Sequence, residues 1–237
     1  MKKIFKLGLV LVLIVAAFSL TACEVILEEV FGDKNFGNVT MTVSYDVPEE
    51  LESNTLVTAL LSGLSATMKF ADGKGLTVIG SDFMTVYSET NEDGSVTTYT
   101  RLDLGTAPIY NSETITAEEV AADATNNIGF DFTEFNLESF ELQGRYYVLK
   151  ADAVESYKKF FAGLDNEFIE EALDFTIKFK IVAGKLGELI VDVTVPAAKL
   201  EVTVTAENIT LGIKYVFTDY GKTVVEKPAW VNEQFPA

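Results

Sequence analysis

Histidine is absent from all 237 residues, and cysteine occurs once, at position 23. The first absence removes Ser-His and Cys-His nucleophile pairs, the commonest general acid/base side chain, and every imidazole metal site. The second excludes an intrachain disulfide, so the hydrophobic core must hold the fold without covalent help. Positive charge is also scarce: 18 basic residues stand against 36 acidic ones, a formal net charge of −18. With no lysine/arginine cluster to offset it, that surface disfavours nucleic acid and anionic headgroups. Nucleic-acid binding is not expected.

Long apolar runs are also missing, except at the start. Lys2, Lys3 and Lys6 precede an apolar stretch from Leu7 to Leu20, then small residues follow. This is the layout of a secretory signal, and the run is short of the roughly 20 residues that a membrane-spanning helix needs. Leu20-Thr21-Ala22-Cys23 resembles a bacterial lipobox. The resemblance implies cleavage before Cys23 and a diacylglyceryl thioether on its sulfur, with small preceding residues giving the peptidase access. Acyl chains contribute about 0.8 kcal/mol per buried methylene, and two of them hold a protein on a bilayer stably. With Cys23 consumed by lipid, thiolate metal and redox chemistry lose their only thiol.

The expected organisation is a lipoprotein signal peptide at 1–22, a lipidated N-terminus and short tether at 23–37, and one domain at 38–237. Fully extended, the stretch from Glu24 to Asn38 reaches about 50 Å at most, which keeps the domain near its membrane. The expected location is extracytoplasmic, lipid-anchored to a bacterial cell membrane.

Beyond the tether the dominant pattern is alternation. Val39, Met41, Val43 and Tyr45 alternate with Thr40, Thr42, Ser44 and Asp46, the signature of a strand with one wet face. "ATMKFADGKGLTVIG" and "DFMTVYSETNEDGSVTTYTRLDL" predict hairpins around glycine-containing turns. Near the C-terminus, Ile177, Phe179 and Ile181 begin a one-sided meander. It continues through Leu189 to Val195, Leu200 to Val204, and Ile209 to Phe217. Val154, Tyr157, Phe160, Phe161, Leu164, Phe168 and Ala172 recur at helical spacing, with a break expected near Gly163 to Asn166. Thr116 and Glu119 form a capping-box pattern. "PEELESNTLVTALLSGLS" suits a helix through Leu56, Leu60 and Leu64, although Gly63 weakens it. Helices segregated from antiparallel strands define an α+β fold.

Three motif fragments fail on context. Gly221-Lys222-Thr223 resembles the end of a phosphate loop, but Val216 stands where its earlier glycine belongs, and no helix receives a phosphate. Ser156 to Lys159 matches S-x-x-K, yet Ser81-Asp82 is followed by Phe83 and Lys222-Thr223 by Val224, so the partner motifs are broken. Asn208-Ile209-Thr210 is a glycosylation pattern without meaning in a bacterial strand. Carboxylates are plentiful, but no pair stands out for glycosidase-type chemistry, and no calcium-loop motif is present. No catalytic residue, metal site or cofactor is expected.

"NITLGIKYVFTDYGKTVVEKPA" (208–229) is similar to the final strand of LolA/LppX-like envelope lipoproteins, and "QGRYYVLKADAVESYKKFF" (143–161) to the strand-then-helix segment of their lipidated relatives. The resemblance runs from about 38 to 228 in element order. It implies a curved antiparallel half-barrel with helices covering its concave face, and acyl chains held between them in several members. Read that way, Phe160, Phe161, Leu164 and Phe168 on the helical cover would face Ile177, Phe179, Val191 and Tyr215 on the sheet. The expected function is non-enzymatic: binding or carrying a hydrophobic, lipid-like ligand. The alternative is a structural or protein-interaction surface lipoprotein without a ligand. The chain is expected to be a monomer whose protein partner, if any, has no signature in the sequence.

Overall fold

The computed structural model describes residues 36–52, 58, 59, 61, 63–105, 107–120, 137–162, 172–200 and 206–236. Eleven strands form one antiparallel sheet: β1 Val39–Asp46, β2 Ala66–Ala71, β3 Lys74–Ile79, β4 Met84–Thr90, β5 Val96–Leu102, β6 Ile109–Ile115, β7 Phe140–Gln143, β8 Tyr146–Leu149, β9 Asp174–Val182, β10 Lys185–Pro196 and β11 Asn208–Thr218. Their spatial order is β6-β5-β4-β3-β2-β1-β11-β10-β9-β8-β7. The sheet therefore consists of two meanders joined at β1 and β11, with β6 and β7 at its opposite edges. Helix α1 is Val154–Ala162 and helix α2 is Ala229–Gln234.

Turn chemistry sets the registers. Asp72-Gly73 and Ala183-Gly184 are two-residue loops with positive φ at both positions, which suits the twist of the hairpins β2–β3 and β9–β10. In the β4–β5 loop Asp93 accepts hydrogen bonds from the Ser95 amide and hydroxyl, while Gly94 takes φ of 82°. Between Leu186 and Glu188 the pairing with β9 shifts by one residue. A Cβ on the intervening Gly187 would lie 2.6 Å from a Val182 methyl, so the bulge favours glycine there.

The hairpins 66–79 and 84–102 form as the sequence predicts, as do the strands at 39–46, 146–149, 177–181, 189–195 and 209–217. The capping box is present: Thr116 Oγ1 accepts from the Glu119 amide, and Glu119 Oε2 accepts from the Thr116 amide. One expectation is corrected. The strand anticipated at Leu200–Val204 does not enter the meander, because β10 pairs directly with β11. Ala197–Leu200 instead forms a turn of 3-10 helix, and 201–205 lie outside the described residues. The apolar residues there keep strand spacing, but the Ala197 amide bonds to the Glu207 carbonyl and closes the connection.

The strands follow period 2, so the sheet has two faces. On the inner face of β1, β2 and β8 to β11 lies the main core, which includes Val39, Met41, Val43, Met68, Phe175, Ile177, Phe179, Leu189 and Tyr215. Leu51, Leu61, Leu64 and, from α1, Tyr157 close onto the same cluster. On the outer face of β2 to β6 sits a second, smaller core of Ala71, Tyr87, Val225 and Val231, flanked by Leu76, Tyr99 and Trp230. Its cover is the chain after β11.

That C-terminal strap is fastened in sequence along the sheet. Asn38 Oδ1 accepts from the Thr223 amide, and Asn38 Nδ2 donates to the Thr223 carbonyl. Lys227 pairs with Glu89 at 2.6 Å and lies over the rings of Tyr87 and Tyr99. Then α2 places Trp230 against Tyr110 and buries Val231 wholly, and Phe235 just beyond it packs against Tyr99. Gly221-Lys222-Thr223 thus belongs to the turn that launches the strap.

Candidate functional site

Inner-face residues line up in rows across the strands. One row runs Tyr147–Phe179–Leu189–Tyr215–Val43–Ala66–Ile79, crossing β8, β9, β10, β11, β1, β2 and β3 in register. The next runs Ile177–Val191–Ile213–Tyr45. All four sheet residues expected at a ligand site lie in these two adjacent rows: Phe179 and Tyr215 in the first, Ile177 and Val191 in the second. Each is buried, Ile177 and Phe179 completely.

Aromatic rings continue the surface towards the β7 edge. Tyr147 stacks on Phe179 at 5.1 Å, and Phe140 meets Phe179 edge-on at 4.9 Å. Phe140 in turn meets Tyr157 of α1 edge-on at 5.5 Å. The contact follows from helical spacing, which puts Val154 and Tyr157 on one face of α1, and both pack against the main core. Phe160 and Phe161 fall on α1, but their side chains are not among those described. Leu164 and Phe168 lie outside the described residues, as does Cys23.

Two further hydroxyls on the apolar face lie close together. Tyr45 and Tyr215 are diagonal neighbours across the β1–β11 seam. Burial pushes both phenols well above their ordinary range, and for Tyr215 the charge of Tyr45 adds to it. Both stay neutral at physiological pH and keep their hydroxyl protons. Sequence reading placed Tyr45 on the inward phase of β1 but did not make it a site residue. The signal was its position two residues after Val43, opposite a strand that itself carries an inward tyrosine.

Charge is confined to the opposite face of the same strands. Glu188 accepts from Tyr146 Oη at 3.0 Å and pairs with Lys180 and Lys214 at 3.1 and 3.4 Å. Lys178 pairs with Asp192 at 3.0 Å. Partial burial raises the Glu188 carboxyl, but the hydrogen bonds from Lys180, Tyr146 and Lys214 outweigh that and hold it below its usual range. Glu89 behaves alike under the strap: burial raises it, while hydrogen bonds from Lys227 and Tyr87 and the charges of Lys227 and Lys74 prevail. Both are shifted away from the raised pKa of a carboxylic general acid. Among the described residues no cluster of three or more acidic, histidine or cysteine side chains is arranged to hold a metal ion. Nor is any described helix long and apolar enough to cross a membrane.

No protein-family model matches the chain, and no curated protein matches it either.

Proposed function

We propose that this chain is a lipid-anchored extracytoplasmic bacterial protein that holds the acyl part of an amphiphile against the inner face of its sheet. The observation that carries the reading is the seven-strand apolar row from Tyr147 to Ile79, crossed at its β7 end by the buried Tyr157 of α1. An open antiparallel sheet with one continuous apolar face is the architecture of a LolA/LppX-like half-barrel, in which helices cover the concave side and acyl chains lie between. Phe160, Phe161, Leu164 and Phe168 supply the helical cover in this reading, facing Ile177, Phe179, Val191 and Tyr215. The role is non-enzymatic, in keeping with a chain that lacks histidine. Cys23 bears the lipid anchor.

Two measurements test the reading. Mass spectrometry of an organic extract of the purified protein is expected to find a stoichiometric amphiphile, and the protein is expected to take up a fluorescent fatty acid. Failure of both removes ligand carriage. Cys23→Ser is expected to release the protein from the membrane fraction and to abolish labelling by radioactive palmitate; retention on the membrane removes the anchor.

The complete burial of Ile177 and Phe179 favours a second reading, a solidly packed interaction domain presented at the membrane. It is the one to keep if no amphiphile is found.

A further inference from the structure

Among the described residues, the edge strand β6 carries few of the features that usually keep a sheet edge from pairing, its one charge being Glu113. Ile109-Tyr110-Asn111-Ser112-Glu113-Thr114-Ile115 contains no lysine, arginine or proline, and its register with β5 is unbroken over seven pairs. Natural edges are commonly shortened, bulged or charged to prevent strand addition. The opposite edge is protected in this way: β7 has four residues and presents Glu141 and Gln143 to solvent.

The unused backbone groups of β6 can be identified. Asp103 N donates to Phe83 O and Asn91 N to Ser95 O, so odd-numbered residues of β5 bond to β4. Even-numbered residues of β5 therefore bond to β6, and the pairing Leu102↔Ile109 to Val96↔Ile115 assigns them the odd-numbered residues of β6. The N–H and C=O groups of Tyr110, Ser112 and Thr114 point away from the sheet. Among the described residues, β5 is the only strand that β6 pairs with.

We infer that β6 is an interface with a second copy of this chain, paired antiparallel about a two-fold axis through Ser112. This replaces the monomer expected from the sequence. An axis at that residue overlaps all seven positions and places Tyr110, Ser112 and Thr114 opposite Thr114, Ser112 and Tyr110 of the copy. Every outward amide then meets an outward carbonyl. The side chains are self-complementary in the same register. On the inner face Ile109 meets Ile115, and the single charge of the strand, Glu113, meets Asn111, each pairing occurring twice. Moving the axis one residue, to Glu113, would oppose two carboxylates. Ile109 is 56% exposed, so the new contact covers an apolar side chain that solvent now meets. The two copies carry like net charge, so added salt strengthens the association by screening their repulsion.

Disulfide formation in the full-length chain tests both the interface and its register, with the unsubstituted chain oxidised in parallel to measure the contribution of Cys23. Facing residues in a hydrogen-bonded antiparallel pair have Cα atoms about 5.5 Å apart, within reach of a disulfide. Ser112→Cys is therefore expected to give a disulfide-linked dimer. Thr114→Cys, displaced four residues from its own copy, is expected to give none above background. Asn111→Glu sets two glutamate pairs face to face and is expected to weaken association on the order of tenfold, whereas Asn111→Lys strengthens it by a similar factor. Circular dichroism confirms that each variant is folded. Equal cross-linking at 112 and 114, no cross-linking at 112, or the same association for both variants at 111 would overturn the proposal.

Discussion

The two halves of the sheet bury opposite faces. In β1, β2 and β8 to β11 the apolar side chains point inward and the outer face carries Lys178, Lys180, Glu188, Asp192 and Lys214. In β4 and β5 the buried aromatic, Tyr87, and its stacked neighbour Tyr99 point outward, under a strap that comes from the far end of the chain. The crossover occurs in β2, where Met68 belongs to the main core and Ala71, three residues on and therefore on the other face, to the second. One continuous ladder thus connects two cores of unequal size. The larger is built by neighbours in the meander. The smaller exists only because residues 223–235 reach across five strands.

The single tryptophan, Trp230, lies on the strap, so its fluorescence follows the smaller core while circular dichroism follows the sheet. The largest effect is expected from Phe179→Ala, which removes a fully buried ring from the centre of the main row. It should cost about 3–5 kcal/mol in urea denaturation and shift both signals together. A shift confined to one signal would break the picture of a single ladder. Val231→Ala should cost about 1.5 kcal/mol, with the fluorescence transition moving ahead of the dichroism transition. Coincident transitions would mean that the strap and the sheet unfold as one unit. The smallest effect concerns pH. Glu89 and Glu188 titrate below their unfolded values, so their stabilisation is present above about pH 4.5 and lost as pH falls through the folded-state values. Glu89→Gln should flatten that loss in the fluorescence signal and Glu188→Gln in the dichroism signal. The opposite assignment would dissolve the distinction between the two halves.

The larger half was readable in the sequence because Ile177 to Ile181 and Leu189 to Val195 keep one phase and one wet face. The smaller half was only partly readable. Its strands were found from the turns at Asp72-Gly73 and Asn91 to Gly94, but Met84 and Val86 stand on one face and Tyr87 on the other. Alternation alone does not say which face is covered, and the answer lay about 140 residues away in sequence, at Lys227 to Val231. Strand β6 went unrecognised because its two isoleucines flank five residues of which only Tyr110 is large and apolar. Helix α2 spans six residues, too few to show a helical period. For the candidate site, residue phase selected Ile177, Phe179, Val191 and Tyr215 correctly as neighbours on one face. It gave no weight to Tyr45, since a tyrosine in a strand has the same pattern whether or not its hydroxyl has a role.

The seam between β1 and β11 also governs how the molecule can be assembled in time. Every other contact between neighbouring strands joins consecutive strands, so 39–115 and 140–218 can each zip up from their own turns. The seam joins Thr40 to Thr218, nearly the whole length of the domain. Until the last strand has emerged, β1 has one vacant side and Val43 lacks its Tyr215 neighbour. Loop closure of that span comes late in folding because its entropy cost is met before its contacts form. The two meanders can therefore form separately, and the sheet becomes one only when its final strand takes its place beside its first.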